Sequence, residues 1–206
     1  MKTNRLTRPA SLVVAALALA QLLLFLLSWL IVAARPDTPM RSLLSNEGIR
    51  WFFGSFVDNV STPPLAWLVL LAMAMGAVEG SMILKVWREG RKSWTYRQTF
   101  AFRIVLLLAV IFLLMVTLLA FIPHAPLLSA TGSLAHSPFS HSLVSLIAGA
   151  ISVAAITFGL LTAAMRSVED VVSAMARGIS QCSWLILCFI FASELFYSIA
   201  YVFRLE

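Results

Sequence analysis

The chain has 206 residues, of which 61% are apolar and only 12% charged, with a formal net charge of +6. That composition excludes a water-soluble domain of this size and defines an integral membrane protein with room for four to six spans. Its basic residues flank apolar runs instead of forming one docking face, which excludes a nucleic-acid-binding surface.

The apolar runs resolve into five. The expected fold is an all-α integral membrane protein, a single membrane domain with transmembrane helices over about 10–34, 64–84, 102–122, 143–165 and 184–203. Two interfacial amphipathic helices are expected over about 46–60 and 168–180.

Lys2, Arg5 and Arg8 precede the first run, which exceeds the about 7–15 apolar residues of a signal core and so reads as an uncleaved signal anchor. Its mid-span polar group, Gln21, is expected to bond to a neighbouring helix. After Arg35-Pro36-Asp37, Ser45 is a plausible N-cap with Glu47 in the first turn. Ile49, Phe52, Phe53, Phe56, Val57 and Val60 then recur at helical spacing, with Arg50, Gly54, Ser55, Asp58 and Asn59 on the other side. Pro63-Pro64 breaks that helix before the central span begins.

The central span carries Glu79 between Gly76 and Gly80. A carboxyl in lipid costs at least about 2.5 kcal/mol, so Glu79 is expected to face protein and is a candidate for proton or cation coupling. Its placement near the inner boundary equally allows contact with headgroup water. Ala72, Gly76 and Gly80, each four residues apart, give one helix face almost no side chain, a groove for another helix.

A basic segment follows, with Lys85, Arg88, Arg91, Lys92, Arg97 and Arg103 against Glu89. The third span has no small-residue face and is expected to meet lipid along much of its length. Between Pro123 and Ser142 lie His124, His136 and His141 with no carboxylate, a pattern that favours a polar outer loop over a metal site. The fourth span carries Ser145, Gly149, Ser152, Ala155, Gly159 and Thr162 at spacings of three and four, a small-residue seam expected to partner the groove on the central span. Ser167 and Asp170 form a capping-box-like helix start. The fifth span holds Glu194 near its middle, with Tyr197, Ser198 and Tyr201 on the same face. A charge there is disfavoured by desolvation, which leaves Glu194 either a hydrogen-bonding group between helices or a proton-linked one. Cys182 and Cys188 are read as packing residues rather than a disulfide.

Orientation follows from Lys and Arg placement. With the N-terminus inside, eleven of fifteen basic residues fall on the inner side, and an odd number of spans puts the C-terminus outside. No nucleophile elbow, His-Glu-x-x-His or phosphate-binding Gly-rich loop occurs, so neither an enzymatic activity nor a cofactor is expected.

Gly48-Ile49-Arg50-Trp51, Pro64-Leu65 and Met75-Gly76-Ala77-Val78-Glu79-Gly80 resemble an early segment of the p-aminobenzoyl-glutamate transporter family. Ser137-Pro138-Phe139 and Ser167-Val168-Glu169-Asp170-Val171-Val172-Ser173-Ala174-Met175 resemble a later segment, and the order is the family's. The resemblance implies helices from an inverted-repeat secondary transporter of the bacterial inner membrane. It also implies a small anionic substrate such as p-aminobenzoyl-glutamate or a sulfonamide. No segment between Leu84 and Ser137 reads as a re-entrant hairpin, so the chain resembles a member shortened to scaffold helices. Glu194 stands where the family is expected to have Gln. The resemblance implies transport as a homo-oligomer or beside a longer transporter subunit; the competing reading is a non-transporting membrane assembly or regulatory subunit.

Overall fold

The computed structural model describes residues 7–35, 37–90, 94–121 and 138–205. Among them are seven helices and no strand: α1 (Thr7–Ala34), α2 (Asn46–Val60), α3 (Pro63–Ser81), α4 (Ile83–Glu89), α5 (Tyr96–Phe121), α6 (Pro138–Leu161) and α7 (Val168–Phe203). Five of these, α1, α3, α5, α6 and α7, are long and apolar enough to cross a membrane.

Local chemistry sets the ends. Ser45 caps α2, its hydroxyl accepting from Gly48 N at 3.0 Å. Pro63 and Pro64 occupy the first turn of α3, where a missing N–H breaks no intrahelical bond. Ser167 and Asp170 form the anticipated box at the start of α7: Asp170 Oδ2 accepts from Arg166 N and Ser167 N, and Ser167 Oγ accepts from Asp170 N at 3.1 Å. The central span ends at Ser81, three residues earlier than expected, because Met82 turns into the left-handed region at φ 57° before α4 starts.

The helix bounds differ from expectation in one further place. The segment 168–180 and the span 184–203 are one continuous helix, α7, since nothing between Arg177 and Trp184 breaks it; Gly178 is kept helical by close packing. In α2 both sides are mixed: of the apolar stripe Phe53 and Val57 are strongly exposed and Phe52 and Val60 half-buried, while on the polar side Arg50 and Asp58 are exposed and Asn59 is buried. A helix whose surroundings are lipid presents apolar groups outward and keeps polar groups for its protein contacts.

The described residues form two compact units. In one, which comprises residues 1–65 and 183–206, Leu43, Tyr201 and Val202 make a core against which Leu24, Phe25, Met40 and Trp51 pack. Arg41 N donates to Val202 O at 3.0 Å, and Ser28 Oγ accepts from Leu43 N at 3.2 Å, fastening the loop before α2 onto α1 and α7. In the other, residues 66–182, α5 lies beside α6, and only Ala101 of its described side chains is buried, which matches a lipid-facing span. The indole N–H of Trp94 donates to Val86 O at 2.9 Å, and the Trp87 and Trp94 rings pack on Phe102, tying α4 to the start of α5.

Candidate functional site

In the unit of residues 66–182 the small-residue groove is occupied, but not by the expected partner. A Cβ at Gly76 would meet the Ala174 carbonyl oxygen and stand 2.8 Å from Gly178 N. A Cβ at Gly178 would meet the Ala72 carbonyl oxygen and stand 2.6 Å from Gly76 N. Backbone therefore rests on backbone where α3 crosses the first half of α7. Gly80 lies farther along the same face, against the side chains of Ala174 and Met165. Ala174 and Gly178 are four residues apart, the same spacing as in the groove, so the signal was present in the sequence within a segment read as interfacial.

The seam on α6 is divided instead of pairing with the groove along its length. Gly159 is buried against Met165 and lies near Ser81 of α3, and Ala155 is buried. Ser152 Oγ donates to Ala148 O of its own helix. Ser145 and Gly149 line an apolar cavity of about 570 Å³ between α5 and α6, shared with Leu108 and Phe112, and nothing lies within 4 Å of a Cβ built at Gly149. Small residues on one face allow close approach without selecting the helix that approaches.

Of the two readings of Glu79, facing protein and reaching headgroup water, its exposure fits the second. Its side chain is exposed, in the last turn of α3, and it accepts a hydrogen bond from Gln181 Nε2 at 2.9 Å. Glu79 lies beside the groove, three residues after Gly76, and the crossing helix reaches it through the long Gln181 side chain without covering it.

Glu194 is the buried acid, only 4% exposed. It lies in the unit of residues 1–65 and 183–206. Asn59 Nδ2 donates to Glu194 Oε2 at 3.4 Å, and Ser193 Oγ donates to Asn59 O at 2.6 Å, so neighbouring residues of α7 hold both the side chain and the backbone of Asn59. One turn along α7, Ser198 Oγ accepts from Gln21 Nε2 at 2.8 Å, the inter-helix bond expected of Gln21. Glu194 Oε1 and Gln21 Oε1 are both buried without a hydrogen-bond partner. Both are acceptors, so a donor or a cation is the chemistry that completes them, a proton on Glu194 included.

No group of three or more potential metal ligands occurs among the described residues. His124, His136 and the side chain of His141 lie outside them. Cys182 and Cys188 are both free thiols and half-buried.

Five bilayer-length helices, a glycine-on-glycine helix crossing and a buried intramembrane acid define a multi-pass α-helical membrane protein. Residues 74–202, more than half of the chain, match the AbgT putative transporter family, and the chain belongs to that family. It is therefore a membrane transport protein, of the family to which the blocks at 75–80 and 167–175 pointed; the blocks at 48–51 and 64–65 precede the matched residues. The Alcanivorax borkumensis YdaH transporter, whose crystal structure is described as having an unusual topology, is similar with a TM-score of 0.78. That similarity covers 93% of this chain and 71% of the YdaH chain at 15% sequence identity, so what the two demonstrably share is the fold. No curated protein sequence matches the chain.

Proposed function

We propose that the chain is the scaffold part of a p-aminobenzoyl-glutamate-type transporter of the bacterial inner membrane. In this reading the N-terminus is cytoplasmic and the C-terminus outside, and transport takes place in a homo-oligomer or beside a longer transporter subunit. Glu194 is the residue through which a proton or cation is coupled to substrate movement, and Glu79, exposed and bonded to Gln181, is the lesser candidate. The observation that carries the reading is Glu194 itself: a 4% exposed carboxyl with one unpartnered oxygen, in a chain of a transporter family. Buried intramembrane acids mark ion and substrate pathways more often than they serve stability. The distribution of Lys and Arg supports the orientation.

The test is uptake or efflux of p-aminobenzoyl-glutamate by proteoliposomes containing only this chain, driven by an imposed pH or sodium gradient. Gradient-driven flux that Glu194→Gln abolishes and Glu79→Gln reduces less is the expected result. Flux equal in both variants and the parent removes Glu194 from the mechanism. Absence of flux from the isolated chain, together with stoichiometric co-purification of a second membrane protein by native mass spectrometry, establishes the assembly-subunit reading instead.

A further inference from the structure

We infer that the aromatic-walled cavity between α2 and the second half of α7 is a binding site for a small organic cation. The cavity measures about 430 Å³, within the size range of small-molecule sites. It belongs entirely to the unit of residues 1–65 and 183–206, and its walls include Trp51, Tyr197 and Tyr201 with Ser55, Asp58 and Asn59 as the polar edge.

Three features make the Asp58 edge of the cavity negative, while the Arg41 guanidinium lies over the Tyr201 ring of its wall. Asp58 is the charged residue among the cavity's lining, and it makes no ion pair or hydrogen bond among the described residues. It lies in the last turn of α2, a turn with no basic residue, where the helix dipole already presents partial negative charge. A carboxylate at that end opposes helix stability, so its charge and the dipole add to a negative potential at the cavity edge. Behind that edge, the Asn59 amide is committed to Glu194 Oε2 and does not offset the charge of Asp58.

The walls fix the chemical class. Trp51 and Tyr201 are stacked with centroids 4.3 Å apart, and Tyr197 is set edge to face against Phe196 at 5.5 Å. Aromatic faces attract cations through the ring quadrupole, most strongly where water is excluded. The Tyr201 ring is already engaged, stacked on Trp51 and carrying the Arg41 guanidinium 5.3 Å from its centroid, so the rings left to a ligand are those of Trp51 and Tyr197. An ammonium or quaternary ammonium group on a compact organic body satisfies the carboxylate and the rings together, whereas an inorganic cation leaves the apolar wall unused and an anion is repelled. A soluble amine and the ammonium of a lipid headgroup share this chemistry. The inference does not depend on the transport reading, because binding is measured without flux.

The experiment is isothermal titration of the full chain in maltoside micelles with benzyltrimethylammonium, with benzoate as the anionic counterpart. Saturable binding of the cation, weakened at least tenfold in Asp58→Asn and severalfold in Tyr197→Leu at unchanged melting temperature, is the expected result. Benzoate is expected not to bind. Repeating the titration in phosphatidylglycerol nanodiscs with and without phosphatidylethanolamine separates the sources. Competition by phosphatidylethanolamine supports the site and names a headgroup as its occupant, and equal affinity supports it and names a soluble cation. Absence of saturable binding in micelles, an affinity that Asp58→Asn leaves unchanged, or equal affinity for benzoate overturns the proposal.

Discussion

Replacing Gly76 by Ala adds one methyl group to a place where backbone meets backbone. The new Cβ would stand 2.8 Å from Gly178 N and 2.9 Å from Gly178 Cα, besides meeting the Ala174 carbonyl oxygen. Ordinary heavy-atom contacts begin near ~3.5 Å, so α3 and the first half of α7 must part by about 0.7 Å or more. Every atom in the way is backbone, so no rotamer change relieves the contact. Overpacking of this kind costs about 1–3 kcal/mol. Alanine returns up to about 1 kcal/mol of helix propensity, for a net loss of about 1–2 kcal/mol. Gly54→Ala is the matched control: it lies inside α2 with nothing within 4 Å of a built Cβ, and is expected to stabilise by about 0.5–1 kcal/mol. Two chemically identical substitutions thus differ by about 2 kcal/mol through packing alone. Gly178→Ala should cost as much as Gly76→Ala, but the double variant less than their sum, because one separation of the helices accommodates both methyls. Unfolding in mixed dodecyl maltoside and dodecyl sulfate micelles, followed by far-ultraviolet circular dichroism, measures all four. If Gly76→Ala stabilises as Gly54→Ala does, or if the double variant is strictly additive, the close crossing is not what holds these helices together.

Asn59→Leu leaves Glu194 buried with neither oxygen hydrogen-bonded and is expected to destabilise by about 1–3 kcal/mol in the same titration. Adding Glu194→Leu should recover most of that loss, since removing both partners removes the unmatched group; no recovery would show that Asn59 matters for another reason. Met82→Gly relieves a left-handed conformation that costs an L-residue about 1–2 kcal/mol, against up to about 1 kcal/mol of added chain freedom. The expected gain is about 0.5–1 kcal/mol, and no gain would show that the chain freedom added by glycine outweighs the strain at residue 82.

Much of the local design could be read directly. The box at Ser167 and Asp170, the cap at Ser45 and the break at Pro63-Pro64 involve residues a few positions apart, so sequence spacing fixes their geometry. Gln21 could be assigned a helix partner in principle, but not Ser198 in particular. Which side of α2 meets the protein could not be read, because an amphipathic stripe has two sides, and which is buried depends on whether the surroundings are water or lipid. Asn59 was missed as a site residue for the same reason: its place on the polar side does not say that it meets Glu194.

The apolar runs by themselves determined that this is a multi-pass membrane protein, with five helices among the described residues long and apolar enough to cross, because a bilayer leaves no water to satisfy backbone groups and enforces helices of a minimum length. The family, too, was carried by short residue blocks. Only the tertiary structure decided that Gly76 meets Gly178 and not the seam of α6, that Glu79 is exposed, and that Glu194 is buried against Asn59. Close approach is a property of two surfaces together: several small-residue faces in one chain are equally permissive, and the choice among them depends on the packing of every other helix at once.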